Sequence, residues 1–450
     1  MKKFFLPVVL LLPCLVDAKE LPFYHPPAVQ RETLSNGMTV LLLEDHELPT
    51  AQLTLLIRGG SLFDPKGKEG LASIALQAIR EGGTVTRKPE AVEEELEFFG
   101  GALEVEAAQE WLQVSLHLLE KDRLKGMEIL FDLLRHPSID PHQFEILKKR
   151  AGEALLREAD EPLSLALRKF PHLVYGEKSL WGRSPTPASL KKIDRKDVVR
   201  FQEAFLAPDR ILLAASGDFN AIDFLRELKI QTAGWAPRGF PLAPAPEVNK
   251  TFAEENWFLP VKGLAQATIV TGHFGEKRSN PDKYPLLVMN YILGGSGALS
   301  SHLGEKIRVQ GGKAYSVWSS FGFAEAPGLF SAVAQTAAAQ TEEVVHDLKE
   351  AIGSFPATPI TDEELSRAKQ VLLRSFLFNY ETSDALVKDL AKFQLWGYPE
   401  NYIDLFQQEI QRLTKDDVER VAKQYLHPEG LKTLVVGANG HWKGKWRKLH

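Results

Sequence analysis

The second half of this 450-residue chain repeats the order of the first, and this repeat limits the possible folds more than any other feature. Gly82–Gly83 recurs as Gly294–Gly295, at an offset of 294 − 82 = 212 residues. Other matches keep the same order, at offsets from 268 − 54 = 214 to 369 − 148 = 221: Ala51–Thr54 with Ala265–Thr268, Ile139 with Ile360, Lys148 with Lys369, Asp197 with Asp417, and Gly217 with Gly437. Collinear matches of this kind predict two copies of one domain.

Each half mixes helical and strand-like periods, so the predicted fold class is α+β with two homologous tandem domains. We place an N-terminal domain at residues 27–236 and a C-terminal domain at 250–440. The prolines at 237, 241, 244 and 246 cannot propagate a helix or a central strand, so residues 237–249 are predicted to be a linker. In the first domain, Asp45–Pro49 is predicted to turn a hairpin between strands Met38–Glu44 and Ala51–Arg58.

Residues 1–18 have the pattern of a secretory signal peptide, with two lysines, the apolar run Phe4–Val16 and a small-residue cleavage site near Ala18. The run is too short to cross a bilayer. We therefore expect a periplasmic protein with no integral membrane segment after cleavage. Cys14, the single cysteine, lies inside this segment, so the mature chain is expected to have no disulfide and no thiol nucleophile. Lipoprotein cleavage before Cys14 is the alternative, which Pro13 disfavours.

The formal net charge of −5 and the pI near 6.2 argue against a nucleic-acid partner, which needs a clustered basic face. The one basic run lies in the tail, residues 441–450, where tryptophans alternate with lysines and an arginine. Such a tail is either a solvated end of the chain or a contact for an anionic membrane surface or another subunit.

Residues 294–320, GGSGALSSHLGEKIRVQGGKAYSVWSS, combine a glycine-rich turn, a short helix and a strand. Ser300 or Ser301 is expected to cap a helix that runs to about Val309, and Ala314–Ser319 alternates like a strand. This order predicts that Arg308 and Tyr315 lie together at one end of a sheet. The glycines of the turn have no following G-K-[ST], so a turn or peptide-binding loop is favoured over a phosphate loop: Gly294, Gly295 and Gly297.

The chain resembles the pitrilysin/insulinase family of zinc peptidases, which includes the mitochondrial processing peptidase and the core proteins of the respiratory bc complex. The resemblance covers essentially the whole mature chain and is carried by LSNGMTVLLLEDHELP, DPKGKEGLASIALQAIREGGT, the glycine-rich stretch and the paired segments that end in Gly217 and Gly437. It implies two domains, each a mixed, mostly antiparallel sheet packed with helices, that form half of a clamshell.

Active members carry H-x-x-E-H on a helix, with two imidazoles on one zinc ion and the Glu as general base. Aligned on Gly70–Ala72, those positions are Ser73, Leu76 and Gln77, none of which can do this chemistry. The family's third ligand, a Glu on a later helix, falls at or next to Glu153. We therefore expect no metal and no catalytic residue of its own in this chain.

No replacement site is evident in the sequence. His302 and Glu305 give H-x-x-E, but Lys306 stands where the second imidazole would be, and G-x-S-x-G does not occur. In active members, an Arg and a Tyr seven residues apart hold the substrate and stabilise the oxyanion. Arg308 and Tyr315 match this pair by spacing and flanks, although Gly311 and Lys313 depart from the usual pattern.

The resemblance thus implies an exported, non-catalytic, substrate-binding subunit of a heterodimeric zinc metallopeptidase. Its partner would carry H-x-x-E-H and the zinc, and the substrate would be an unstructured peptide. Two alternatives remain open: an inert assembly subunit like the respiratory core proteins, and a peptide-binding module.

Overall fold

The computed structural model describes residues 23–158, 160–239, 246–438, 442 and 444–449. The predicted signal peptide lies outside the described residues, as do part of the linker (240–245) and part of the tail (441, 443 and 450). Within the described residues, no helix is both long and apolar enough to cross a membrane.

The described residues of the N-terminal half form six strands and eight α-helices. The strands are β1 (Gln30–Thr33), β2 (Thr39–Glu44), β3 (Thr50–Arg58), β4 (Ala102–Ala107), β5 (Trp111–Leu119) and β6 (Ile211–Gly217). The helices are α1 (Leu71–Glu81), α2 (Pro89–Phe98), α3 (Arg123–Arg135), α4 (Pro141–Glu158), α5 (Pro162–Tyr175), α6 (Pro187–Lys191), α7 (Arg195–Phe205) and α8 (Ala221–Gln231).

The described part of the C-terminal half contains seven strands, six α-helices and a π-helix, Gly304–Gln310. The strands are β7 (Glu255–Pro260), β8 (Gln266–Phe274), β9 (Glu276–Lys277), β10 (Ala314–Ala324), β11 (Pro327–Ala337), β12 (Lys432–Gly437) and β13 (Trp446–Lys448). The helices are α9 (Lys283–Leu293), α10 (Thr341–Ser354), α11 (Asp362–Phe378), α12 (Ser383–Leu395), α13 (Tyr402–Arg412) and α14 (Lys415–Tyr425).

The two sheets repeat one topology, which confirms the predicted duplicated α+β fold. The first has the order β1-β2-β6-β3-β5-β4, and the second has β13-β7-β12-β8-β11-β10-β9. The shared part is a parallel pair (β2 with β6, β7 with β12) followed by three antiparallel neighbours. The second sheet adds the edge strands β13 and β9, both of which pair in parallel. The predicted hairpin at Asp45–Pro49 is wrong, because β6 inserts between β2 and β3 and Asp45–Pro49 therefore connects strands that do not pair.

Strand register refines one of the sequence matches. Gly217 of β6 pairs with Ala51, and the register of β12 against β8, in which Val436 pairs with Thr268, places Gly437 beside Ala267. Ala51 is therefore equivalent to Ala267, two residues beyond the Ala265 that the sequence match selects. Since side chains alternate across a strand, a slip of two residues keeps the same face.

Helix contacts also recur between the halves. Lys148 on α4 donates to the carbonyl of Lys191, and Lys369 on α11 donates to the carbonyl of Gln411, at 3.5 and 2.8 Å. Asp197 and Asp417 each close a capping box at the start of α7 and α14. These repeated hydrogen bonds explain why polar residues of the two halves match at an offset of about 220 positions, as in 417 − 197 = 220.

The two halves are joined by an exchange of helices. Helix α5 of the N-terminal half packs on β8 and β12 of the second sheet, with Phe170 and Val174 against Val270 and Leu434. Helix α12 of the C-terminal half packs on β6, β3 and β2 of the first sheet. Each sheet therefore completes its apolar core with a helix from the other half, which makes the halves interdependent.

Part of the basic tail belongs to the second sheet. Residues Trp446–Lys448 pair with β7 in parallel register, and the Trp442 ring packs on Phe258 at 4.6 Å between ring centroids. Arg447 lies over Trp257 and 3.4 Å from Glu255. The pairing covers the outer edge of β7, so these tail residues act as an edge strand.

Candidate functional site

The degenerate zinc positions lie on α1, which packs in the core of the N-terminal domain. Asp64 caps the start of this helix by accepting from the Gly70 and Ala72 N–H groups at 2.7 and 2.8 Å. Burial raises the pKa of the Asp64 carboxyl to about 6. Ser73 is exposed, whereas Leu76 is 1% exposed and packs in the apolar core. The position that holds a general base in active peptidases is therefore occupied here by a core side chain.

Glu153 belongs to a helix that packs against α1. It lies exposed on α4, 3.9 Å from Lys149, and lines a groove with Leu156 and Pro187. Gln77 lines a different depression, beside Arg80 and the edge strand β4. A zinc site needs several imidazole, thiolate or carboxylate ligands converging on one point, and the hydroxyl, amide and leucine present here do not fit zinc.

Other metal-ligand types are also dispersed. In the described part of the chain, the one group of three such side chains within reach of each other is His346, Asp347 and Glu350 on α10. In the H-x-x-E segment, His302 pairs with Glu364 of α11 at 2.7 Å, and Glu305 accepts from Gln310 at 3.0 Å. His302 and Glu305 therefore have separate partners and do not form one site.

The glycine-rich loop after α9 covers the outer edge of β10. The Ser319 N–H donates to the Gly294 carbonyl at 2.9 Å, and the Asn290 amide donates to the Ser319 carbonyl at 3.4 Å. A Cβ at Gly294 would lie 2.6 Å from a Leu303 methyl and 2.9 Å from Ser319 Oγ, so a larger residue would have to displace these two side chains. Gly297 has φ +63°, which also favours glycine. The loop therefore acts here as a tight structural turn at the strand edge.

Arg308 lies on a π-helix. Ser301 caps the segment as predicted, since its Oγ accepts from the Gly304 N–H at 3.1 Å. The helix continues through His302 and Leu303 and widens to a π-helix from Gly304 to Gln310. Ile307 is buried against the domain core, whereas Arg308 is exposed. π-Helical turns are rare and are frequent at functional sites.

Tyr315 lies in a β-bulge at the start of β10. Ala314 pairs with Thr336 and Ser316 pairs with Gln335, so Tyr315 is the extra residue on its strand. Its side chain is 64% exposed. Bulges redirect side chains and are over-represented beside active sites. The side chains of Tyr315 and Arg308 form no hydrogen bond or ion pair with another described residue.

The structure thus brings Arg308 and Tyr315 onto adjoining irregular elements of the C-terminal domain, as the sequence predicts, since the π-helix packs against β10. Of the positions predicted from the zinc motif, Leu76 is buried, Gln77 is partly buried, and Ser73 and Glu153 are exposed. Sequence reasoning missed the support that α10 gives to the pair: Lys313, between them, lies 2.8 Å from Asp347. The two residues of this ion pair are 347 − 313 = 34 positions apart, and no local pattern signals their contact.

Two family models match successive parts of the chain. A model described as "Insulinase (Peptidase family M16)" matches residues 39–172, and one described as "Peptidase M16 inactive domain" matches residues 192–372. Together they cover 134 + 181 = 315 of the 450 residues, and the second includes Arg308 and Tyr315.

Two curated relatives carry contrasting descriptions. An uncharacterized zinc protease of Streptomyces coelicolor is 25% identical over 88% of this chain and 87% of its own length. A non-peptidase homolog of Helicobacter pylori is 26% identical over 88% of this chain and 91% of its own. Sequence similarity alone therefore does not separate peptidases from non-peptidases.

Solved structures share the fold. A peptidase M16 inactive domain from Pseudomonas fluorescens superposes with a TM-score of 0.83 at 21% identity, over 93% of this chain and 99% of that one. The periplasmic protease PqqL from Escherichia coli superposes with a TM-score of 0.76 at 17% identity, over 91% of this chain but 45% of that one.

Proposed function

The chain belongs to the insulinase family, peptidase family M16, and on that premise we propose that it is the non-catalytic, substrate-binding subunit of an exported heterodimeric zinc metallopeptidase. A partner with an intact H-x-x-E-H helix supplies the zinc and the general base. This chain supplies Arg308 and Tyr315 and half of the chamber for an unstructured peptide.

One contrast within the molecule carries the proposal. Helix α1 keeps its place in the fold but has Leu76 in the core where a peptidase has its base. The C-terminal domain instead exposes Arg308 and Tyr315 on a π-helix and a bulge, without partners in the described chain. Exposed, unpaired polar groups on irregular backbone are typical of sites that act on another molecule.

The planar guanidinium of Arg308 suits a peptide carbonyl or carboxylate, and the Tyr315 hydroxyl suits an oxyanion. Neither group can activate water for attack, so peptide cleavage requires a second chain. The E. coli periplasmic protease supports a paired arrangement, because the part that this chain matches is less than half of that protein.

Native pull-down of the full chain tests the partnership. We expect a similar-sized second chain that carries H-x-x-E-H, with peptidase activity present only when both chains are. The purified chain alone should hold no stoichiometric zinc and should cleave no unstructured peptide. One tightly held zinc per chain, removed together with activity by a chelator, would falsify the proposal.

The alternative function, an inert assembly subunit, predicts a different result. If the chain purifies only as a monomer or homodimer, and the H-x-x-E-H relative retains full activity without it, the chain is a scaffold. Export is tested in the same cells by sequencing the mature N-terminus, which should begin directly after Ala18.

A further inference from the structure

Lys313 fastens the segment between Arg308 and Tyr315 to helix α10. Its Nζ lies 2.8 Å from Asp347 Oδ2 and 3.4 Å from Glu343 Oε2. The Asp347 side chain is 13% exposed, so the pair is partly shielded from water. The hydrogen bond to Asp347 raises the pKa of the Lys313 ammonium, which keeps this group charged.

The backbone of Lys313 joins the two irregular elements. Its N–H donates to the Ile307 carbonyl of the π-helix at 3.0 Å, and its carbonyl accepts from Thr336 Oγ1 of β11 at 2.5 Å. Thr336 is fully buried. Lys313 therefore links the end of the π-helix that carries Arg308 to the start of the strand that carries Tyr315.

A second pair secures the other end of the π-helix to the same helix. Lys306 Nζ lies 2.9 Å from Glu350 Oε2. Helix α10 therefore offers a row of carboxylates to the lysines on either side of Arg308, while Arg308 itself has no such partner among the described residues. This arrangement holds the segment in place and leaves the guanidinium open.

We propose that Lys313 is a positioning residue, which sets the placement of Arg308 and Tyr315 against a bound peptide through its ion pair with Asp347. The inference rests on the proposed function and extends it. A misplacement of about 1 Å costs a catalytic site up to about a hundredfold in rate, so loss of a fastening this near the pair should be measurable.

The test is Lys313→Met in the heterodimer, assayed with a fluorogenic unstructured peptide. We expect kcat/KM to fall about tenfold, because the segment shifts without losing either functional group. Asp347→Asn should have the same effect, and Lys313→Arg should restore most of the activity. Lys349→Met is the matched control, since Lys349 also bonds from α10, to Glu254 at 2.7 Å, but away from the segment.

Melting temperature and co-elution with the partner exclude a simple folding defect. In a Tyr315→Phe background, Lys313→Met should cost less than it does alone, because only the placement of Arg308 is then left to lose. Three outcomes would overturn the inference. The losses of Lys313→Met and Tyr315→Phe are fully additive, Lys349→Met loses as much kcat/KM as Lys313→Met, or Lys313→Met leaves kcat/KM unchanged. If Arg308→Ala and Tyr315→Phe also leave kcat/KM unchanged, the proposed function fails as well, because there is then nothing to position.

Discussion

The two halves of the molecule diverge after one equivalent helix. In the N-terminal domain, α1 ends at Gly82 and leads to the regular helix α2 and the regular strand β4. In the C-terminal domain, α9 also has 11 residues and ends at Gly294, but a π-helix and a bulged strand follow. The two sheets share one topology, but the segment after this helix is regular in the N-terminal domain and irregular in the C-terminal domain.

The use of arginine differs in the same way. Arg80 at the end of α1 donates to the Leu103 carbonyl of β4 at 3.0 Å and forms an ion pair with Glu93 of α2. Its charge is therefore paired within the domain. Arg308 on the π-helix has no described partner. The arginine of the N-terminal segment therefore stabilises the fold, whereas the arginine of the C-terminal segment is available to contact another molecule.

The largest expected effect concerns helix α1. Leu76→Glu should destabilise the chain by about 4 kcal/mol, because it removes a core side chain and buries a carboxylate without a partner. Ser73→Glu, on the exposed face of the same helix, should change the free energy of unfolding by less than about 0.5 kcal/mol. Urea unfolding at neutral pH measures both, and similar small losses would show that Leu76 is not a core residue.

Tyr315→Phe tests the irregular half. If the hydroxyl donates to an oxyanion as its charge develops, kcat of the heterodimer should fall about a hundredfold, the usual loss for one oxyanion donor. Zinc content and assembly should stay the same. Wild-type kcat with an intact complex would mean that the bulge serves packing, and the contrast between the halves would lose its functional meaning.

The pH dependence of stability adds to this contrast, because a buried acid in the N-terminal half and a buried histidine in the C-terminal half have pKa values shifted in opposite directions. The pKa of Asp64 is raised to about 6, above its unfolded value of 3.8, so its contribution falls as pH rises through this window. The pKa of His273 is lowered to about 4 by burial, below its unfolded value of 6.5, so its contribution grows as pH rises from about 4 to 6.5. Neutral His273 accepts from the His427 N–H at 3.1 Å.

Single variants separate the two groups. Between about pH 4.5 and 6, the stability of Asp64→Asn relative to the wild type should increase by about 2 kcal/mol, and that of His273→Gln should decrease by about the same amount. Urea unfolding at both pH values gives the differences. Parallel pH profiles for the wild type and both variants would show that neither group titrates as its burial requires.

The smallest effect is expected at Arg308. Arg308→Lys keeps the charge but loses the planar fork, so KM should rise about fivefold with kcat nearly unchanged, since this contact already forms in the ground state. Steady-state kinetics of the assembled complex separate KM from kcat. A change confined to kcat would assign Arg308 to the transition state, together with Tyr315.

Local patterns predicted much of the fold and part of the site. The strands predicted at Met38–Glu44 and Ala51–Arg58 are found as β2 (Thr39–Glu44) and β3 (Thr50–Arg58), since an apolar run of strand length is a local signal. A helix cap at Ser300 or Ser301 was also predicted, and Ser301 provides it. The hairpin at Asp45–Pro49 was not correct, because nothing near those residues shows that β6, far along the chain, pairs between the two strands.

The duplication, the family and the lack of zinc ligands at Ser73, Leu76 and Gln77 follow from residue identity and order alone. Other features become visible only in the folded chain: the exchange of α5 and α12, the burial of Leu76, the π-helix, the bulge at Tyr315 and the pairing of Lys313 with Asp347. These features depend on contacts between distant segments, whose free energies outweigh local preference once the core closes.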